Sequence, residues 1–117
     1  MTTSDRLRKR LEDAGFTVGS EQDLLGLTDA EMELVKARCD VAAAIRKRRT
    51  QRKLTQPELA KLADTTQSRI SKIEKAAPGV TMDVLLRTYF AAGGTWADVG
   101  RMAAKADKTR KTAAKDR

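Results

Sequence analysis

The sequence predicts an all-α domain, and three observations support that fold class. Ala, Leu, Lys and Arg dominate the 117 residues. No segment alternates apolar and polar residues in the way a half-buried strand does. Threonines followed three residues later by Glu or Asp recur along the chain, and such pairs commonly begin helices. A chain of this length supports one domain with a single small core.

Residues 1–27 are predicted to form an N-terminal helical arm and linker. A short, heavily charged helix fits residues 5–14, before a Gly-containing stretch. Whether this arm is mobile or held against the body is left open by the sequence. An apolar cluster follows, which would either pack on the first long helix or bind a partner protein: Leu24, Leu25 and Leu27.

Residues 28–104 are predicted to form the main domain, beginning with a long helix from Thr28 to about Lys53. Neither Gly nor Pro interrupts that stretch. Cys39 lies on its apolar stripe, which favours a buried, unreactive thiol over a redox switch, because a switch requires an exposed and electropositive setting. Six cations crowd the end of the helix, where they suit the helix dipole: Arg46, Lys47, Arg48, Arg49, Arg52 and Lys53.

Two short helices joined by a tight turn are predicted for residues 54–74. Thr55 and Glu58 form a capping box for the first helix, whose predicted apolar, inward face is Leu59, Leu62 and Ala63. Asp64 tolerates the left-handed conformation of the turn, and Thr66 is a natural N-cap for the second helix. Ile70 and Ile73 would then face inward, which leaves these polar residues outward: Gln67, Ser68, Arg69, Ser71 and Lys72.

Two further helices complete the predicted domain. The first is capped by Thr81 and ends at Gly93-Gly94, with Leu85, Leu86, Tyr89 and Phe90 supplying core bulk. The second begins at Thr95 and presents one stripe that would serve as core or as a dimer seam: Trp96, Val99, Met102 and Ala103. Residues 105–117 show no apolar period and are predicted to form a disordered basic tail.

Charge and composition narrow the classes of function. The net charge is +8, and the excess lies in residues 40–104, with 12 basic and 6 acidic residues, and in residues 105–117, with 6 and 2. A basic domain of this kind favours a polyanionic partner, above all nucleic acid. Histidine is absent and Cys39 is the only cysteine, which argues against zinc sites, His-dependent triads and disulfides. We therefore expect no enzyme activity, no cofactor and no metal, in a cytoplasmic protein without a membrane span.

The stretch 54–74 resembles the helix-turn-helix of the lambdoid phage repressor and Cro family, also called the XRE family. The residues that match are Leu54-Thr55-Gln56, Glu58-Leu59-Ala60, Gln67-Ser68-Arg69-Ile70-Ser71 and Ile73-Glu74, with Gln56 and Gln67 eleven positions apart. Family members usually carry Gly where this chain has Lys53 and Asp64. The resemblance covers residues 41–92 and implies a compact five-helix repressor-like domain. It also implies a structural ion pair between Arg49 and Glu74.

The resemblance implies a transcriptional regulator, most simply a repressor, that binds double-stranded DNA as a homodimer and inserts helix 67–74 into the major groove. Gln67 is the best base reader by its chemistry, Arg69 or Lys72 can reach guanine, and Gln56 is placed to bond a phosphate. The full set of predicted DNA-binding residues is Gln56, Thr66, Gln67, Ser68, Arg69, Ser71 and Lys72. Two alternatives stay open: an antitoxin that also neutralises a toxin protein, and an adaptor that uses the same fold to bind another protein.

Overall fold

The computed structural model describes residues 26–115 together with Arg6 and Arg10, and it describes side chains as far as Thr109. Over residues 26–115 it contains five α-helices and no strand, which confirms the all-α prediction. The helices are α1 (Asp29–Gln51), α2 (Gln56–Leu62), α3 (Gln67–Glu74), α4 (Met82–Ala91) and α5 (Trp96–Lys115). Of the predicted N-terminal arm, Arg6 and Arg10 are helical and Leu27 is half-buried, whereas Leu24, Leu25 and the rest of residues 1–25 lie outside the described residues.

The chain divides into two compact units, residues 1–37 and residues 38–117. The division falls inside α1, whereas the sequence placed the domain boundary before Thr28. In the first unit, the described residues are Arg6, Arg10 and the segment from Gly26 into the beginning of α1. Met32, in α1, is buried. The second unit contains the rest of α1 and the four following helices.

All five helices begin at a threonine whose hydroxyl accepts a hydrogen bond from the backbone N–H three residues later. The five caps are Thr28, Thr55, Thr66, Thr81 and Thr95. At Thr55 and Thr95 the carboxylate three residues on also accepts from the threonine backbone N–H, which completes a capping box. These caps satisfy N–H groups that the helix itself leaves unpaired, and they confirm the predicted helix starts.

The first four helices end in the same way, with one residue in the left-handed region. These residues are Lys53 (φ 57°), Asp64 (φ 54°), Ala76 (φ 51°) and Gly93 (φ 100°). After α2, for example, the Asp64 N–H donates to the Lys61 carbonyl at 3.2 Å and the Thr65 N–H donates to the Ala60 carbonyl at 2.9 Å. Such ends favour glycine. At Lys53, Asp64 and Ala76 this chain therefore carries a residue with a side chain where glycine would adopt the conformation more easily.

The core of the second unit is assembled from one face of each of the first four helices and from Val80. Its largest fully buried side chains are Ile45, Leu59, Ile70, Ile73 and Leu85. The prediction of a core position is wrong for two residues: Phe90 is 42 % exposed and Leu62 is 53 % exposed. At about 100° per residue, Phe90 is rotated about 140° around α4 from the fully buried Leu85 and therefore faces away from the core.

The last helix corrects the prediction of a disordered tail, because α5 continues through Lys105 to Lys115. The Thr95–Asp98 capping box starts the helix, and after Gly100 the chain contains neither Gly nor Pro. Once a helix has started, each good helix former extends it at little cost, and Ala, Lys and Arg are among the best. Val99 and Met102 pack on the core, whereas Trp96 is 70 % exposed and Ala103 is exposed.

Two smaller observations complete the fold. Cys39 is a free thiol and is half-buried, whereas the sequence predicted a buried one. In the described part of the chain, no helix combines the length and the apolar character needed to cross a membrane.

Candidate nucleic-acid interface

The outward face of α3 is polar and carries no acidic side chain. Thr66 caps this helix by accepting from the Arg69 backbone N–H at 3.2 Å. Ile70, Ile73 and Glu74 are buried and fix which side of the helix faces the core. The residues left outward are Gln67, Ser68, Arg69 and Lys72, which are exposed, and Ser71, which is half-buried.

The exposed side chains of α3 fall into three directions. Successive residues of an α-helix are rotated by about 100°, and the buried side is centred between Ile70 and Ile73. Ser68 and Lys72 therefore lie opposite the core. Gln67 lies on one flank of this outward face and Arg69 on the other. The four predicted contact residues Gln67, Ser68, Arg69 and Lys72 thus face different parts of the surroundings.

On the Gln67 flank, three side chains of the two helices form a hydrogen-bonded chain. The Gln67 amide Nε2 donates to Gln56 Oε1 at 3.5 Å, which is a long hydrogen bond. The Gln56 amide Nε2 in turn donates to Glu74 Oε1 at 3.2 Å. Gln56, the predicted phosphate ligand, is therefore hydrogen-bonded both to Gln67, the predicted base reader, and to the buried carboxylate of Glu74.

Glu74 is held by Arg49, near the end of α1. Arg49 Nε donates to Glu74 Oε2 at 2.6 Å, and a second guanidinium nitrogen donates to Oε1 at 3.1 Å. The hydrogen bond to Glu74 is the main reason that the pKa of Arg49 is raised above its ordinary value. Arg49 also donates to the Leu54 carbonyl at 2.9 Å, so one side chain joins the end of α1, the start of α2 and the end of α3. Both side chains of the pair are largely buried.

A sequence model of a family described as Helix-turn-helix matches residues 45–87, from the middle of α1 into α4. The match contains both short helices, the turn between them and the Arg49–Glu74 pair. The match supports an XRE-type helix-turn-helix over residues 45–87. Families of this type are DNA-binding and non-enzymatic, so the match supports a DNA-binding regulator. No significant match was found among curated proteins or among solved structures.

Several arginines beside the XRE-type motif donate hydrogen bonds to backbone carbonyls of the protein. Arg48 donates to the Gly93 carbonyl at 2.7 Å, and Arg52 donates to the Ala92 carbonyl at 2.5 Å. Both guanidiniums thereby satisfy carbonyls at the C-terminal end of α4, where the helix dipole favours a positive charge. Arg48 lies in the last turn of α1 and Arg52 directly follows its last residue, four positions later, but no local pattern in the sequence indicates which carbonyls they contact.

A third arginine of α1 has a similar structural role. Arg38 donates to the Val80 carbonyl at 2.5 Å and to the Ala77 carbonyl at 3.2 Å, which ties α1 to the loop between α3 and α4. Of the six cations at the end of α1, the side chains of Arg48, Arg49 and Arg52 are thus engaged internally. Arg46, Lys47 and Lys53 are exposed.

Proposed function

We propose that this chain is a sequence-specific transcriptional regulator, acting as a repressor, that reads the DNA major groove with α3. One observation carries the proposal: an exposed row of amide, hydroxyl and cationic side chains lies on a helix whose end is fixed by a buried ion pair. A helix of this size fits the major groove, and those side chains match the donors and acceptors of base edges. Blocking a promoter by occupancy requires no catalysis.

The directions of the side chains suggest a division of labour. Gln67, in the first turn of α3, pairs with adenine, and Lys72 and Ser68 face the floor of the groove. Gln56, at the start of α2, contacts a phosphate and orients Gln67 through their shared hydrogen bond. Thr66 and Ser71 lie at the margins of this surface, since the Thr66 hydroxyl already caps α3 and Ser71 is half-buried.

A homodimer is the second part of the proposal. One recognition helix covers only a few base pairs, and regulators of this class gain specificity by placing two copies on a near-palindrome about one helical turn apart. Trp96 supports such pairing, because its large apolar ring is 70 % exposed and would be covered in a dimer. The site of action would be the cytoplasm, where bacterial DNA lies.

Selection of bound duplexes from a random pool tests the proposal. We expect a near-palindromic consensus, and fluorescence anisotropy should show tighter binding to the consensus than to a scrambled duplex of equal length. Binding that is equal for both duplexes at every salt concentration would contradict sequence-specific reading. An absence of binding to any duplex would favour the adaptor alternative instead.

A further inference from the structure

On the flank of α3 away from Gln56, a recess of about 420 Å³ opens between the helix-turn-helix turn and α4. Its walls come from the end of α2, from the turn, from α3 and from α4. Two arginines line it, Arg69 from α3 and Arg87 from α4. Both are exposed, so their guanidiniums are accessible to a ligand.

These two arginines differ from Arg38, Arg48, Arg49 and Arg52 because their side chains have no protein partner. Among the residues that the structure describes, neither Arg69 nor Arg87 forms an ion pair or a side-chain hydrogen bond. Arg38, Arg48, Arg49 and Arg52, by contrast, all donate to carbonyls or to a carboxylate. Two unpaired guanidiniums on one recess form a ready site for an oxyanion.

The position of the recess identifies the source of that oxyanion. An α-helix with its side chains is about 10–12 Å wide, and the major groove is about 12 Å wide. A helix lying in the groove therefore has a phosphate backbone alongside each flank. Gln56 and Gln67 occupy one flank of α3, and Arg69 occupies the other.

We propose that Arg69 and Arg87 together hold a backbone phosphate of the DNA strand on the flank away from Gln56. This proposal rests on the proposed function and assigns it a second phosphate contact, from α4. It makes Arg69 a phosphate ligand instead of a reader of guanine. The contact fixes the rotation of α3 in the groove, because the helix is then held from both sides, by Gln56 and by the arginine pair.

Asp64 also lines the recess and is exposed there. Its carboxylate repels a phosphate, so it limits the affinity of the site without removing it. Asn tolerates the left-handed conformation found at this position about as well as Asp does. The Asp64→Asn variant therefore removes the charge without disturbing the turn, and it should bind DNA more tightly.

The experiment measures anisotropy over a range of salt concentrations on the selected operator and on a scrambled duplex. Arg87→Ala should weaken binding to both duplexes by the same several-fold factor and lower the salt slope by about 0.9, the value for one lost phosphate contact. Asp64→Asn should strengthen both by a similar factor. The control is Lys61→Ala, which removes one exposed charge of α2 that does not line the recess and should leave the slope unchanged.

A second measurement places the contact. Uncharged methylphosphonate linkages are introduced one at a time into the operator. At one position in each half-site, the substitution should weaken binding of the wild-type protein but leave the binding of Arg87→Ala unchanged. Thermal unfolding should be the same for Arg87→Ala and wild type, because the Arg87 side chain has no partner to lose.

Each contrary result has a definite meaning. Suppose that the wild-type protein prefers its operator, and that Arg87→Ala has the same affinity as wild type for each duplex. The recess proposal is then wrong, while the proposed function stands. A change in the ratio of operator to scrambled affinity in Arg87→Ala would make this arginine a base reader and overturn the phosphate assignment. Calorimetric binding of inorganic phosphate that depends on Arg87, with unchanged DNA binding, would assign the recess to a free anion and likewise overturn it.

Discussion

Gln67 Nε2 donates to the side-chain amide oxygen Oε1 of Gln56 at 3.5 Å, between the two helices of the motif. The two residues are eleven positions apart in sequence and carry different proposed tasks, base reading and phosphate binding. The hydrogen bond connects the side chains that are proposed to perform them. It predicts that the two residues do not act independently on operator DNA.

A double-mutant cycle tests this coupling. Gln67→Ala should cost about 1–3 kcal/mol on the operator and relax the preference at one base pair, because a bidentate pair to adenine is lost. Gln56→Ala should weaken operator and scrambled duplexes together. On the operator, the double variant should lose about 0.5–1 kcal/mol less than the sum of the single losses, since each single change already breaks the shared hydrogen bond. Strict additivity, measured by anisotropy at fixed salt, would show that Gln56 does not orient Gln67.

The Arg49–Glu74 ion pair should be important for stability more than for DNA contact. Glu74→Ala leaves a largely buried guanidinium without its carboxylate and should destabilise the fold by about 3 kcal/mol in urea unfolding. Arg49→Met with Glu74→Leu removes both charges and should recover much of that loss. Arg46→Ala, at an exposed position on the same helix, should change the free energy of unfolding very little. A double variant as unstable as Glu74→Ala would argue against a simple charge effect.

Relief of backbone strain is expected at the end of α1. Lys53 is exposed and has φ 57°, a conformation that costs an ordinary residue about 1–2 kcal/mol, whereas Gly adopts it freely. After the greater flexibility of Gly in the unfolded chain is subtracted, Lys53→Gly should stabilise the protein by about 0.5–1 kcal/mol. Gly93→Ala should do the opposite, because φ is 100° and the new methyl would lie 3.0 Å from an Arg52 nitrogen. Equal unfolding midpoints for Lys53→Gly and wild type would refute the strain argument.

Acid should weaken the start of α5. The Thr95 hydroxyl and then the Thr95 backbone N–H donate to Asp98, and these bonds, with a smaller effect of Arg101, lower the pKa of Asp98 below its ordinary value of 3.8. The unfolded chain therefore takes up this proton first on acidification. The stabilisation is complete above the unfolded pKa and is lost as pH falls through the lower folded pKa.

Thermal unfolding from about pH 7 to about pH 2.5 checks this expectation. The difference in melting temperature between wild type and Asp98→Asn should shrink in the acid range. Thr95→Val removes the largest source of the shift and should show a weaker pH dependence at this site. A constant difference between wild type and Asp98→Asn over the whole range would mean that the pKa of Asp98 is not lowered by folding.

Trp96 reports on pairing directly, because it is the only tryptophan in the chain. If two copies pack through the exposed ring and its neighbours, tryptophan emission should shift to shorter wavelength as concentration rises. Trp96→Ala should shift the dimer to monomer in sedimentation equilibrium while leaving the fold intact, because the ring is 70 % exposed. Leu62→Ala offers a matched control at another exposed apolar residue. A wild-type protein that is monomeric at tens of micromolar, both free and on DNA, would contradict the dimer.

The sequence predicted the helix starts well because the cause is local. Each start depends on a threonine and on a backbone N–H three residues away, and both can be read from one short stretch. The predicted inward positions Ile70 and Ile73 were right for a similar reason, since helical period assigns a face once the start is known. The helical period of the apolar residues does not show how wide the buried face is. Phe90 and Leu62 were therefore predicted as core although they are exposed.

The parts that sequence could not predict depend on contacts between distant residues. Arg48 and Arg52 meet carbonyls about forty positions away, and no local pattern marks such a partner. Arg87 was not singled out because its only distinction is a recess shared with Arg69, which exists only after α3 and α4 have packed. The continuation of α5 was missed because a charge-rich segment was read as disorder, although its Ala, Lys and Arg residues favour helix once one has begun.

The division of the arginines into engaged and unengaged side chains implies two classes of chemical reactivity. A dicarbonyl reagent such as phenylglyoxal attacks accessible guanidiniums, so it should modify Arg46, Arg69 and Arg87 first. Arg49, held by a carboxylate and largely enclosed, should react only when the protein unfolds. Bound DNA should slow the modification of Arg69 and Arg87 while leaving that of guanidiniums outside the interface unaltered. Peptide mapping of a single partially modified sample would thus outline the DNA footprint from the side of the protein.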